Sequence, residues 1–167
     1  MRAAFLDRDG TITRDYPDQQ WASVAQPELL HGTTQALVEF RRMGYEVIIL
    51  TNQYTIGEGI ITPSDYKHFT ALLLADLHNA GASVLDIFHC PHARTVPCRC
   101  RKPNVGMVEQ ALHKYPAIDL SRSFMAGDSE CDRQLAEATG LRFFGVALPS
   151  AGTPIKSLAE IPALLRG

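Results

Sequence analysis

The sequence predicts an α/β protein whose mostly parallel sheet carries helices on both faces. Short, continuously apolar runs alternate with longer segments of helical periodicity, and such runs are typical of parallel strands buried on both sides. Glycines stand where three of the helical segments should stop, at Gly44, Gly81 and Gly140. A length of 167 residues with 46% apolar content suits a single domain, 1–167, with a substantial core.

Five apolar runs are the predicted strands. The first is short and leads directly into a charged motif, and the second contains the run Val47-Ile48-Ile49-Leu50. Three more runs of similar length follow, each separated from the next by a helical segment. In chain order the predicted strands are Ala3–Leu6, Glu46–Leu50, Leu85–His89, Ser123–Ala126 and Arg142–Val146.

Five helices are expected between and after these strands. The second is the best defined, because Leu73, Leu77 and Ala80 lie on one helical face and Thr62-Pro63-Ser64 is a typical helix start. The final segment is short and amphipathic. The predicted helices are Thr34–Met43, Ser64–Ala80, Val105–Tyr115, Cys131–Thr139 and Ser157–Leu165.

The overall charge excludes several classes of partner. Sixteen basic and 18 acidic residues give a net charge of −2, which is not the footprint of a protein that binds nucleic acid or an anionic membrane. The beginning of the chain does not resemble a signal peptide, and no apolar stretch is long enough to span a bilayer. We therefore expect a cytoplasmic monomer that acts on a small molecule, without nucleic-acid or membrane partners.

Polar residues cluster at the predicted carboxyl ends of the strands. Asp7, Thr51, Cys90 and Asp128 each follow or end an apolar run. Parallel α/β sheets place their functional sites beyond these ends. The sequence therefore predicts one site built from several loops at this edge of the sheet.

Two carboxylates follow the first strand. Asp7 and Asp9 are two residues apart, so on an extended chain their side chains point the same way. A turn at Gly10 would bring the second carboxylate back towards the first. This pair suits an aspartate nucleophile with an acid/base partner. A strand that merely ends in a polar turn is the alternative, since Asp and Gly are common there.

Three further positions suit phosphoryl chemistry. The Thr51 hydroxyl, with the amide groups after it, is suited to holding phosphate oxygens. Lys102 offers a cation for the charge that develops in phosphoryl transfer. A carboxylate at Asp128 facing Asp7 would form an oxygen cage that suits Mg²⁺. A polar turn and an exposed basic pair are the alternatives for Thr51 and Lys102.

Four soft or borderline metal ligands lie within eleven residues, in the pairs Cys90-x-His92 and Cys98-x-Cys100. Three thiolates and one imidazole match a closed, tetrahedral structural Zn²⁺ site. In a reducing compartment, cysteines at such spacing favour metal binding over disulfides. Two cysteine pairs without metal, or an artefactual disulfide, remain the alternatives.

Together these segments resemble the haloacid dehalogenase (HAD) superfamily of phosphohydrolases over nearly the whole chain. The resemblance narrows to the branch of the heptose-1,7-bisphosphate 7-phosphatases and histidinol-phosphate phosphatases. It implies a HAD-like Rossmannoid three-layer sandwich with a zinc-binding loop and without a large cap domain. The matching segments are Asp7-Arg8-Asp9-Gly10-Thr11, Thr51-Asn52-Gln53, Cys90-Pro91-His92, Cys98-Arg99-Cys100-Arg101-Lys102-Pro103 and Gly127-Asp128 with Asp132.

The resemblance also implies roles for individual residues. Asp7 would be the nucleophile and Asp9 the acid/base, while Asp132 would orient its neighbours or cap a helix rather than bind metal. The remaining roles are phosphoryl and substrate binding by Thr51, Asn52, Arg101 and Lys102, Mg²⁺ binding by Asp7, Asp128 and the backbone carbonyl of Asp9, and Zn²⁺ binding by Cys90, His92, Cys98 and Cys100.

The implied activity is a Mg²⁺-dependent phosphatase that passes through an aspartyl-phosphate. Its leading substrate is D-glycero-D-manno-heptose 1,7-bisphosphate; histidinol phosphate and another sugar phosphate are the rivals. A zinc-stabilised binding module without activity would require a broken carboxylate set, and a mutase would require a cap. Glu58 stands where this branch commonly carries Arg, so we expect it to repel a distal anionic group of the substrate.

Overall fold

The computed structural model describes residues 1–149 and 152–167. Within these residues, six parallel strands form one sheet in the order β3-β2-β1-β4-β5-β6. The five predicted strands are all present, and β6 was not predicted because it is only three residues long and contains a proline. The strands are β1 Arg2–Leu6, β2 Tyr45–Asn52, β3 Asp86–Cys90, β4 Phe124–Gly127, β5 Arg142–Val146 and β6 Thr153–Ile155.

The first four predicted helices are confirmed with each end within one residue of the expected position. The last one differs: a 3-10 turn at Leu158–Glu160 precedes a shorter α-helix with Pro162 in its first turn. A four-residue helix was also missed. The helices are α1 Thr33–Arg42, α2 Tyr54–Gly57, α3 Pro63–Asn79, α4 Gly106–Lys114, α5 Glu130–Thr139 and α6 Ile161–Arg166.

Successive residues of the central strand β1 pack into two different cores. Ala4 and Leu6 belong to the core that includes buried residues of α1, α3 and α6. Ala3 and Phe5 belong to the core that includes those of α4 and α5. Since both faces of β1 are buried, its sequence is apolar without alternation. The predicted helix–sheet–helix sandwich is confirmed.

The sheet brings the candidate residues to one edge. Leu6 pairs with Ile49 of β2 and with Ala126 of β4, so the chain segments that follow β1, β2 and β4 emerge side by side. The Asp7 amide still donates to Ala126, at 2.9 Å. In the part of the chain that the structure describes, every helix is too short or too polar to cross a bilayer.

Candidate active site

A buried ion-pair cluster lies at the carboxyl end of β1. Lys102 Nζ is 2.6 Å from Asp7 Oδ1 and 2.7 Å from Asp132 Oδ1. The same ammonium donates to the Leu50 carbonyl at 2.8 Å. Lys102 thus crosses from its own loop to β2 and lies between two carboxylates, which its single charge cannot fully offset.

The electrostatics of this cluster are strongly perturbed. Burial raises the pKa of Asp7 well above its usual range; Lys102 opposes this, whereas Asp132 and Asp128 add to it. Burial, reinforced by Asp132, raises the pKa of Asp128 to about 6. For Lys102, burial acts to lower the pKa, but the adjacent carboxylates outweigh it and raise it. The cluster therefore holds more negative charge than the protein itself compensates.

The donor set fits a divalent cation. Carboxylate oxygens of Asp7, Asp128 and Asp132 lie within 4.8 Å of one another. A Cβ at residue 10 would lie 2.0 Å from Asp128 Oδ2, and Gly10 has φ +84°, so only glycine lets Asp128 approach so closely. Clustered oxygens with surplus negative charge are what Mg²⁺ prefers.

Asp132 plays a different role from the other two carboxylates. Its Oδ2 accepts hydrogen bonds from the backbone N–H of Ser129, at 3.2 Å, and from the Ser129 hydroxyl. This reciprocal arrangement caps the start of α5. The helix-capping contact predicted from the sequence is present, and the other oxygen of Asp132 pairs with Lys102.

Asp9 is held from several sides. Its two oxygens accept from Arg8 Nε and Nη2 at 2.8 and 2.9 Å, and Gln53 Nε2 donates to Oδ2 at 2.8 Å. The same Gln53 nitrogen donates to Thr51 Oγ1 at 2.8 Å. The sequence indicated amide groups for phosphate oxygens, whereas here the Gln53 amide links Asp9 to β2.

The end of β2 is tied to the loop that carries Lys102. The Lys102 N–H donates to Asn52 Oδ1 at 2.9 Å, and Asn52 Nδ2 donates to the Lys102 carbonyl at 3.1 Å. Thr51 is buried, and its hydroxyl points to Gln53. Asn52 therefore anchors the lysine backbone, and Thr51 lies one layer beneath the surface of the site.

A cavity of about 200 Å³ opens above this cluster. Four carboxylates line it, together with Lys102, which is its lone cationic side chain in the described part of the chain. Trp21, Tyr54 and Asn52 also contribute to its wall. The lining carboxylates are Asp7, Asp9, Asp15 and Asp128. A small charged group fits here, and Arg101 and Thr51 are not part of this wall.

The four predicted zinc ligands converge. Cys90 Sγ lies 3.6 Å from Cys98 Sγ and 3.5 Å from His92 Nδ1, and this nitrogen lies 3.2 Å from Cys100 Sγ. A tetrahedral site with Zn–S bonds of about 2.3 Å has ligand-to-ligand edges of roughly 3.5–3.8 Å, which two of these distances match, while the nitrogen–sulfur distance to Cys100 is shorter. The cysteines are free thiols, not disulfides. The arrangement therefore fits a four-coordinate metal.

This Cys/His cluster adjoins the basic pair. The Arg101 N–H donates to Cys98 Sγ at 3.4 Å, and its guanidinium donates to the Ala93 carbonyl at 2.8 Å. In this structure Arg101 therefore braces its own loop. Because Lys102 follows directly, the conformation of the Cys/His loop determines where the ammonium enters the site.

Glu58 has a partner that the sequence did not predict. Its carboxylate pairs with the Arg94 guanidinium at 2.7 Å, which weakens the repulsion of a substrate anion expected from the sequence. Hydrogen bonds from Arg94 lower the pKa of Glu58. Arg94 also pairs with Asp18 at 2.9 Å and lies 4.2 Å from the Tyr54 ring centroid. The charge of Glu58 is thus offset from a loop distant in sequence.

Comparisons with known proteins find a phosphatase family model and several named relatives. The family model described as polynucleotide kinase 3 phosphatase matches residues 2–145. The chain is 38% identical to a D-glycero-alpha-D-manno-heptose-1,7-bisphosphate 7-phosphatase of Photorhabdus laumondii, over 84% of this chain and 79% of that one. It is 31% identical to the histidine biosynthesis bifunctional protein HisB of Legionella pneumophila, over 86% of this chain and 40% of that protein.

A solved phosphatase structure has the same fold as this chain. The crystal structure of the D,D-heptose 1,7-bisphosphate phosphatase of B. bronchiseptica, complexed with magnesium and phosphate, matches with a TM-score of 0.86 and 26% identity. The match covers 99% of this chain and 98% of that one.

Proposed function

Because the chain belongs to the HAD superfamily of phosphoric monoester hydrolases, in the branch of the heptose-1,7-bisphosphate 7-phosphatases, we propose that it hydrolyses a small phosphorylated sugar with Asp7 as nucleophile. The single observation that carries this proposal is the contact of Asp7 with Lys102 at 2.6 Å, at the base of a cavity that Asp128 also lines. A buried carboxylate with a cation beside it is suited to attack on a phosphoryl group.

In the first step, an oxygen of Asp7 bonds to phosphorus and the bond from phosphorus to the leaving alcohol breaks. Lys102 holds Oδ1 of Asp7, which leaves Oδ2 as the attacking oxygen, and its charge stabilises the phosphoryl oxygens in the transition state. Asp9 gives a proton to the leaving alcohol. The product is an aspartyl-phosphate and a free alcohol.

In the second step, water attacks phosphorus while Asp9 takes up a proton from that water, and the bond from phosphorus to Asp7 breaks. Asp9 is thus an acid and then a base, as one group can be when it stays in place. Mg²⁺, held by Asp7, Asp128 and the Asp9 carbonyl, would reduce the repulsion between the substrate phosphate and the carboxylates.

Other residues of the β2 end complete the proposed phosphate site. Asn52 lines the cavity and holds the Lys102 backbone, and Thr51 supports Gln53 beneath it. We assign both to binding of the transferring phosphoryl group, Thr51 through its neighbours. Arg101 would contact the rest of the substrate after releasing the Ala93 carbonyl, its partner here.

The relatives support heptose 1,7-bisphosphate as the first substrate to test, with loss of the 7-phosphate. Histidinol phosphate is a second candidate, favoured by the cavity wall. The imidazole of histidinol phosphate can stack on Trp21 or Tyr54, and its ammonium group can pair with Asp15. These three residues all line the cavity. The second phosphate of a bisphosphate would need a cation, but Arg94 on the neighbouring loop is already paired with the carboxylates of Asp18 and Glu58.

The test is phosphate release in magnesium buffer, with heptose 1,7-bisphosphate, heptose 1-phosphate and histidinol phosphate compared at equal concentration. We expect kcat/KM to be highest for the bisphosphate, with the 1-phosphate left as product. A preference for histidinol phosphate would transfer the proposal to the second candidate. A failure to release phosphate from any small phosphoester would refute both.

We also propose that the Cys/His cluster binds one structural Zn²⁺, which orders the loop before Lys102. Cys98→Ser should lose this metal and destabilise the fold, because structural zinc sites contribute directly to folding. We expect Tm to fall by about 5–10 °C, since 1 kcal/mol corresponds to roughly 2–4 °C in a chain of this size. Metal analysis after dialysis and thermal unfolding provide the measurements.

Cys131→Ser is the matched control, because Cys131 is a free thiol outside the cluster. It should retain one equivalent of zinc and the wild-type Tm. A structural metal would be contradicted if zinc-free wild-type protein, with all its thiols reduced, had the same Tm as the zinc-loaded protein. Loss of activity alone in Cys98→Ser would indicate a catalytic metal instead.

A further inference from the structure

Arg8, between the two motif carboxylates, is almost completely buried. Its side chain is 2% exposed, and the Asp9 side chain is 17% exposed. A buried arginine is rare unless it is paired, and the guanidinium makes a two-pronged pair: Nε to Oδ1 at 2.8 Å and Nη2 to Oδ2 at 2.9 Å. Such a fork fixes the plane of a carboxylate as well as its position.

The guanidinium is itself held by an aromatic cluster outside the two main cores. Its carbon Cζ lies 4.7 Å from the ring centroid of Phe69, 5.6 Å from that of Trp21 and 5.7 Å from that of Tyr66. With Ile61, these rings form a separate buried cluster. Three aromatic rings thus lie within 6 Å of one guanidinium carbon, a geometry that favours a cation.

The backbone of Arg8 is also immobilised. Its carbonyl accepts hydrogen bonds from the N–H groups of Ile12, at 2.8 Å, and Thr13, at 2.9 Å. The Thr13 hydroxyl makes only long contacts, 3.3 Å to Asp9 Oδ1 and 3.4 Å to the Arg8 carbonyl. The strong donors therefore leave one lone pair of Oδ1 weakly engaged, where a transferred proton can reside.

We propose that Arg8 is the positioning residue of the reaction: seated on the cluster of Trp21, Tyr66 and Phe69, its guanidinium fixes the carboxylate of Asp9. This inference rests on the proposed function, in which Asp9 is acid and then base. A group that must meet the leaving oxygen and later the attacking water must not rotate between the two steps. The Gln53 amide, at 2.8 Å from Oδ2, is the second support.

Two leaving groups separate a positioning role from a structural one. In p-nitrophenyl phosphate the phenolate leaves without a proton, so the first step should be insensitive to a displaced Asp9, whereas a sugar phosphate needs the proton. In Arg8→Met we expect a rapid burst of about one nitrophenolate per active site, followed by steady-state turnover slowed about 100-fold, the usual range for acid/base catalysis. Formation of the aspartyl-phosphate from a sugar phosphate should slow by a similar factor.

Arg8→Lys and Ile61→Ala are the companion variants. Lysine keeps the charge but lacks the fork. Arg8→Lys should therefore still show the burst, and its steady-state turnover should lie between those of the wild type and Arg8→Met. Ile61→Ala removes packing from the same cluster and should lower Tm without a burst and without changing the rate ratio of the two substrates. If Arg8→Met does not fold, the comparison of Arg8→Lys with Ile61→Ala decides the question.

The outcomes distinguish this inference from the function on which it rests. Wild-type protein that hydrolyses neither ester refutes the proposed function. Active wild-type protein, with Arg8→Met and Arg8→Lys slowed equally on both substrates and no burst, leaves the phosphatase proposal standing and overturns the positioning role. Asp9→Asn shows the largest effect that a displaced Asp9 carboxylate could have: we expect a burst followed by almost no turnover.

Discussion

Replacing Asp7 with asparagine is expected to reduce kcat/KM by ~10⁴-fold or more, as for other catalytic nucleophiles, while the fold persists. The amide cannot form the aspartyl-phosphate. The fold should tolerate the change because Lys102 keeps its contact with Asp132 at 2.7 Å. Burial raises the pKa of Asp7, so its charged form costs stability, and a neutral isostere removes that cost. Phosphate release and thermal unfolding measure the two effects.

Asp76→Asn provides the matched control for this change. Asp76 is exposed on α3, so the same chemical substitution there should alter neither activity nor Tm. A folded Asp7→Asn protein that retains a tenth of the wild-type rate would exclude Asp7 as the nucleophile. An unfolded one would mean that the carboxylate itself is needed for the fold.

Replacing Lys102 with methionine should impair both activity and stability. The ammonium lies between two buried carboxylates, and removing one member of a buried ion pair typically costs about 3–5 kcal/mol. Lys102 opposes the rise in the pKa of Asp7, so without it that pKa is higher still. When a carboxyl group has a higher pKa in the folded state than in the unfolded state, its charged form destabilises the fold at high pH. This cost diminishes as the pH falls through the folded-state pKa.

The measurement is urea unfolding in magnesium-free buffer at neutral and mildly acidic pH. We expect the free energy of unfolding of Lys102→Met to approach that of the wild type at the lower pH. Adding Asp7→Asn to this variant should restore part of the loss, because one of the two unpaired carboxylates is gone. A deficit that is independent of pH and unchanged in the double variant would show that the loss comes from packing.

The fold was predictable because its central strands, β1, β2 and β4, are buried on both faces. Ala3–Leu6 is apolar throughout since alternate residues pack into different cores, and the longer helices have clear starts and stops. In contrast, β6 and α2 are too short to produce a periodic pattern. They are held by neighbours, β6 by pairing with Phe144 of β5, and local sequence carries little of that information.

The same distinction applies to the site. Asp7 and Asp128 were predicted together because each follows a strand that ends at the same edge, whereas the role of Lys102 came from the family resemblance; the structure brings all three to one cavity. The contacts of Arg8 and Gln53 depend on tertiary distances that spacing does not reveal. For Glu58, the decisive fact is the Arg94 side chain, 36 residues later.

The pair of hydrogen bonds between Asn52 and Lys102 has a consequence for hydrogen exchange. Lys102 belongs to a loop by chain position, but its N–H and C=O are bonded to the Asn52 side chain, much as a strand residue is bonded to its neighbour. Its ammonium is bonded to the Leu50 carbonyl of the same strand. Its amide proton should therefore exchange with solvent only when β2 itself opens, on the timescale of global unfolding rather than loop motion. The cation that faces the nucleophile is thus held by β2 as well as by its own loop.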